Sequence, residues 1–73
     1  MTSLDYPDRS LKHGDKIVLV NGGEILNWAK GWNRHDVGKT FTFDKYETFS
    51  CLSVVEKSGA DPLLQGRFER DGN

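Results

Sequence analysis

Short apolar segments separated by polar, glycine-containing turns form the clearest pattern along the chain. Residues 16–21 include four consecutive aliphatic side chains, three of them β-branched. Such a run between turn residues predicts a strand covered on both faces, and we expect it to be the central strand of a sheet. Residues 39–44 alternate strictly, with Phe41 and Phe43 on one face and Thr40, Thr42 and Asp44 on the other. This alternation predicts a second, half-buried strand.

Two further strands are expected in the second half of the chain. Residues 49–55 form the third, with Leu52 and Val54 on one face and Phe49, Cys51 and Val55 on the other. Residues 45–48 are predicted to be the connection before it. Residues 64–69 predict a short fourth strand after the Gly- and Pro-containing break at 58–62.

One segment favours helix. Residues 24–30 are compatible with one or two helical turns, in which Ile25 and Trp28 share a face. Gly31 would end the helix, and residues 32–38 are predicted to be a loop. The predicted fold class is therefore mainly β: a small antiparallel sheet of three to four strands, curled towards an SH3-like barrel, with one short helical segment.

Length restricts the organisation of the molecule to one domain, because the chain has 73 residues. We expect a flexible N-terminal arm at 1–11, a β-rich domain at 12–69 and a tail at 70–73. A domain of this size buries only about 60% of the surface of its unfolded chain, which leaves little room for a deep cleft.

The charge balance and the cysteine content limit the cellular compartment and the kinds of binding partner expected for this chain. Ten Lys and Arg residues against eleven Asp and Glu residues give a net charge of −1, without the basic excess typical of a duplex-DNA-binding protein. A single cysteine, Cys51, cannot form an intramolecular disulfide. No secretory signal or apolar run of about 20 residues is apparent, so the expected location is the cytoplasm.

Candidate chemical motifs are weak. Residues 33–40 resemble the end of a phosphate-binding loop, but Asn33 replaces the leading Gly, and a strand rather than a helix is predicted to follow. A nucleophile would need Cys51 beside His13 or His35, and a metal site would need the same scattered residues. We therefore expect no enzyme activity, no cofactor and no metal site.

A cluster of basic residues around an aromatic ring is the strongest candidate site. It consists of Lys30, Trp32, Arg34, His35 and Lys39. Exposed aromatic side chains beside arginine are enriched at protein-binding hot spots, and the same combination stacks single-stranded nucleic acid. In the alternative, Trp32 covers one end of the core and the charges are merely solvated.

Three stretches resemble the SH3-like barrel modules of small phage proteins: residues 12–18 (KHGDKIV), the Gly31-Trp32 loop and residues 37–42 (VGKTFT). The resemblance covers roughly residues 12–45. The small strand-rich chain without a catalytic set also resembles the host-takeover regulators of lytic phages that bind bacterial RNA polymerase. That resemblance implies contact with the N-terminal region of the polymerase β′ subunit, sigma displacement and, as a further activity, antitermination, all in the host cytoplasm.

The leading hypothesis is thus a non-catalytic, protein-binding regulator, whose contact surface is the loop around Trp32 and the adjacent strand edge. A nucleic-acid-binding small β-barrel is the alternative, and an enzyme is the third hypothesis.

Overall fold

The apolar segments of the chain form five short strands in the computed structural model, which describes residues 10–48 and 51–71. All pairings are antiparallel, and the sheet order is β4-β3-β2-β1-β5. The mainly β fold class is therefore confirmed. The strands are β1 (Lys16–Leu19), β2 (Thr40–Thr48), β3 (Cys51–Val54), β4 (Leu63–Leu64) and β5 (Phe68–Arg70).

Within the described residues, helical structure is confined to four isolated 3₁₀ turns, at Gly23–Asn27, Arg34–Asp36, Val55–Lys57 and Gln65–Arg67. The first turn replaces the longer helix expected at 24–30. So short a segment cannot offset the cost of nucleating an α-helix by itself. Ile25 packs partly against the core while Trp28 is exposed, so the predicted shared face of these two residues is wrong.

β2 extends further than its alternating pattern indicates. Residues 45–48, predicted to be a connection, belong to this strand. The register with β3 shifts after Phe43 and again after Tyr46. The first shift breaks the two-residue alternation, so that the Tyr46 ring packs 4.9 Å from that of Phe43. An irregular pattern of this kind cannot be recognised from side-chain alternation.

The position of β1 also differs from the expectation. Ile17 and Leu19 are fully buried, whereas Val18 is half-buried and Val20 is exposed. β1 is paired on both edges, but β2 occupies the middle of the sheet. Sequence hydrophobicity overestimates how completely the second face of β1 is covered.

The predicted strand at 64–69 is in fact two strands separated by the Gln65–Arg67 turn. β4 pairs with β3 and β5 pairs with β1, so the two halves lie at opposite ends of the hydrogen-bonded order. No backbone ladder joins β4 to β5 in the described part of the chain. The sheet is therefore open and is not curled towards the SH3-like barrel that the sequence predicts. The turn is the covalent link between the two ends of the sheet.

One hydrophobic cluster lies under the sheet and its turns. Leu11, which the sequence assigns to the N-terminal arm, belongs to this core, and Arg70, assigned to the tail, ends β5. The expected flexibility of the first nine residues and the predicted position of Phe49 lie outside the described residues. The core residues are Leu11, Ile17, Leu19, Leu26, Ala29, Trp32, Phe41, Phe43, Leu52, Val54, Leu63 and Phe68.

Among the residues described, no helix has the length and apolar character needed to cross a membrane.

Candidate functional site

The structure separates the roles of the two tryptophans, which the sequence left open. Trp32 is only 6% exposed and lies edge-on to Phe41 and Phe68, at centroid distances of 5.3 and 6.1 Å. Its indole Nε1 donates a hydrogen bond of 2.8 Å to the carbonyl oxygen of Asp61. Trp32 is therefore a core residue with a satisfied polar atom, as in the alternative in which it covers one end of the core, and it is not an exposed contact.

Trp28 is the exposed tryptophan. It directly follows the Gly23–Asn27 turn and has 69% of its surface open to solvent. Large exposed aromatic side chains are unusual on a monomeric surface and are enriched in binding interfaces. The helix predicted at 24–30 places Trp28 on the same face as Ile25. The sequence therefore gives no indication that Trp28 is exposed.

The predicted basic residues remain on the surface but differ in their contacts. Arg34 donates from Nε to the side-chain oxygen of Asn27 at 3.1 Å, which ties the second 3₁₀ turn to the first. The Lys39 ammonium lies 3.8 Å from a carboxylate oxygen of Asp36. Lys30 and His35 are exposed. The cluster is therefore partly neutralised, and Arg34 is its most firmly oriented cation.

Asp36 is the buried anion beneath this surface. Its carboxylate accepts from the Asn33 amide at 3.0 Å and lies 3.0 Å from the Lys57 ammonium. The Asn33 side chain in turn accepts from the His35 amide at 2.8 Å, which completes a capping box. Burial by itself raises the pKa of Asp36, but Lys57, the Asn33 amide and Lys39 together hold that pKa below its ordinary value.

A shallow cavity of about 370 Å³ opens between the first two 3₁₀ turns. We call it the Arg34 groove. It is bounded by Gly23, Glu24, Leu26, Arg34 and Val37. Val37 is exposed, and the amide of the following Gly38 donates to the carbonyl of Leu19 at 2.7 Å. The end of β1 therefore lies beside one wall of the groove.

Close backbone packing fixes the floor of the groove. A Cβ atom on Gly22 would lie 2.1 Å from Cδ1 of Leu26, so the side chain of Leu26 rests directly on this glycine. The carbonyl of Gly22 accepts from Nη1 of Arg67 at 2.8 Å. Leu26 itself is buried. The groove is consequently built on an ordered base, although its walls belong to short turns.

The weak chemical motifs of the sequence, which were not expected to form sites, can also be located. Among the described residues, no group of three or more His, Cys, Asp or Glu side chains is placed to hold a metal ion. The segment that resembles a phosphate-binding loop leads through the Arg34–Asp36 turn into a β-strand at Thr40. It therefore lacks the helix N-terminus on which such loops depend.

Comparison of the chain with protein-family models, with curated proteins and with solved structures finds no match in any of the three.

Proposed function

We propose that this protein is a small, non-catalytic regulator that acts by binding another protein. The exposure of Trp28, which directly follows the turn that contributes Gly23, Glu24 and Leu26 to the Arg34 groove, is the observation that supports this proposal. Together Trp28 and the groove provide a large aromatic anchor, an apolar depression and an oriented guanidinium on one pair of turns. A buried aromatic or arginine anchor surrounded by weaker contacts is the usual energetic organisation of a protein interface.

The contact surface proposed now differs from that expected from the sequence. Arg34 and Lys39 remain within it, while Trp28 takes the role that the sequence assigns to Trp32. A small protein can inhibit or redirect a large target by such a surface alone, because preferential binding to one state of the target is sufficient.

Bacterial RNA polymerase is the proposed target, with the N-terminal region of its β′ subunit as the contact. Support comes from the resemblance to phage host-takeover regulators and from the small, strand-rich fold. On this proposal the protein displaces sigma or alters termination in the cytoplasm of the infected host.

The test is capture of purified bacterial RNA polymerase, as core enzyme and as sigma-containing holoenzyme, by the immobilised protein. We expect binding of the wild type and at least about 30-fold weaker binding of Trp28→Ala, since truncation of a hot-spot residue costs about 2 kcal/mol or more. Val55→Ala is the matched control, because Val55 is an exposed apolar residue on a different 3₁₀ turn.

Absence of polymerase binding by the folded wild type would reject the target. Equal losses in Trp28→Ala and Val55→Ala would reject the surface. Binding of single-stranded oligonucleotides with an affinity that falls steeply with salt would instead favour the alternative, a nucleic-acid-binding protein.

A further inference from the structure

We infer that the Arg34 groove receives an acidic, aliphatic segment of a protein partner. In this arrangement an aliphatic side chain packs against Leu26 and Val37, and a neighbouring carboxylate pairs with the guanidinium of Arg34. The inference rests on the proposed function, since it defines the partner chemistry of the same surface.

The apolar half of the groove determines the first property required of the bound segment. Leu26 forms a buried base and Val37, which is 43% exposed, forms an open wall. The volume of about 370 Å³ is at the low end of the range for small-molecule pockets, and the groove is open to solvent. Such a depression suits one or two side chains of a polypeptide better than an enclosed cofactor.

The guanidinium of Arg34 determines the second property required of the bound segment. The Arg34 Nε atom already donates to Asn27, and among the described residues no partner engages its two Nη groups. Anchoring Nε limits the rotation of the side chain and leaves the terminal Nη donors available to a ligand. A planar fork of this kind matches the two oxygens of a carboxylate.

Glu24 distinguishes a polypeptide from a nucleic acid as the occupant. Glu24 lines the same groove, and its negative charge disfavours the closely spaced phosphates of a nucleic-acid strand. A polypeptide carries carboxylates at separated positions and offers backbone N–H groups that Glu24 can accept from. The single cation and single anion on the rim therefore favour a segment with a locally placed acid over a uniformly anionic strand.

Charge around the groove agrees with this choice. Lys30, His35 and Lys39 are exposed near Arg34 in the sequence, and the nearest buried anion, Asp36, is already paired with Lys39 and Lys57. The positive charge available to an acidic segment is therefore that of Arg34 and Lys30, since Lys39 is shared with Asp36 and the chain has a net charge of −1.

The test uses the ¹⁵N-labelled full chain and three synthetic 12-residue peptides. The first contains Leu, Glu and Ser; in the second every Glu is replaced by Gln, and in the third every Leu by Ser. We expect the first peptide to shift backbone amides at residues 23–28 and 34–38. The second and third should bind at least about tenfold more weakly, the scale of a lost hydrogen bond to a charged group or of a lost aliphatic contact.

Variants of the chain assign the effect to the groove. Arg34→Gln should weaken binding of the first peptide at least about tenfold, and Arg34→Lys, which keeps the charge but not the fork, should fall between Arg34→Gln and the wild type. Val37→Ser should also weaken binding of the first peptide, by an effect that is independent of Arg34. Lys45→Gln is the control, since Lys45 is an exposed β2 residue that does not line the groove.

Three results would overturn the inference: equal affinity for the Glu and Gln peptides, shifts centred outside the two turns, or stronger binding of a 12-nucleotide thymidine strand. Its failure is separable from that of the proposed function. If polymerase binding survives Arg34→Gln and Val37→Ser, the groove is not the binding site, but the proposed regulatory function stands. If the peptide binds and the polymerase does not, the polymerase is rejected as the target and the groove remains a peptide-binding site.

Discussion

At the scale of single residues, the two tryptophans show how differently one side-chain type can be used four positions apart. Trp32 fills the space between Phe41 and Phe68 and hydrogen-bonds through its indole nitrogen. Trp28 contributes most of its surface to solvent. The first is required for folding, and the second is available for binding.

Truncation of the two rings should therefore change stability to very different extents. We expect Trp32→Ala to lower the free energy of unfolding by about 3–5 kcal/mol, since it removes a large buried aromatic side chain. That loss is a large share of the ~5 kcal/mol at the low end for small domains. Trp28→Ala should change the free energy of unfolding by less than about 0.5 kcal/mol, as is usual for exposed sites.

Urea unfolding followed by far-ultraviolet circular dichroism measures both variants. Because the signal comes from the backbone, it does not depend on which tryptophan remains. A strongly destabilised Trp28→Ala would show that this ring is part of the core and would remove it from the proposed surface.

At the scale of elements, the loop before Trp32 is held against the loop after the Val55–Lys57 turn. The Lys30 amide donates to the side chain of Asp61 at 2.9 Å, and the Asp61 amide donates to the carbonyl of Lys30 at 3.0 Å. Gly31 has a φ of +84°, and a Cβ atom placed there would lie 2.5 Å from that of Ala60. Glycine is required at this position both for backbone conformation and for close approach.

Gly59 provides a matched comparison, because it has the same φ of +84° but no atom within 4 Å of the position that a Cβ would occupy. Both Gly31→Ala and Gly59→Ala should lose about 1–2 kcal/mol from left-handed backbone strain. Gly31→Ala should lose about 1–3 kcal/mol more, the usual cost of overpacking. Equal urea midpoints for the two variants would show that the loops separate without cost.

At the scale of the whole molecule, a buried charge joins turns that are distant in the sequence. Asp36 in the second 3₁₀ turn pairs with Lys57 in the third, and Lys57 also lies 5.3 Å from the centroid of the Trp32 ring. The carboxylate is thus placed where the proposed binding turns meet the core. Its protonation should weaken this junction.

Stability should consequently fall in acid. The folded-state pKa of Asp36 is below its ordinary value, so the unfolded state binds a proton first as the pH decreases. The stabilisation is complete above the unfolded pKa of about 3.9 and is lost as the pH falls through the lower folded pKa. Asp36→Asn should therefore reduce the difference in unfolding free energy between pH 7 and pH 3.

Some acid dependence should persist in Asp36→Asn. Burial raises the pKa of Glu56, but hydrogen bonds from the Thr42 amide and hydroxyl, together with Lys16, lower it overall. Glu47→Gln is the control, since Glu47 is an exposed carboxylate on β2. Urea titrations at pH 7 and pH 3 compare the unfolding free energies of the wild type, Asp36→Asn and Glu47→Gln. If Asp36→Asn shows the same pH dependence as the wild type, Asp36 does not contribute to the acid sensitivity.

The candidate site was predictable in part. Arg34 and Lys39 are recognisable from their local density of positive charge, which is a property of adjacent residues. The groove and the exposure of Trp28 are not, because they depend on how Gly22, Leu26 and Val37 meet in space. Each tryptophan lies between one small and one polar residue. The neighbouring residues therefore do not indicate which of the two is buried.

The sequence by itself determined most of the strand-forming segments and the face of β2 that carries Phe41 and Phe43, because alternation and β-branching act over a few neighbouring residues. Only the tertiary structure decided the register shifts in β2, the division of the last strand into β4 and β5, and which of Trp28 and Trp32 is buried. These features arise from contacts between residues far apart in the chain, where packing selects one arrangement among several that local preferences allow.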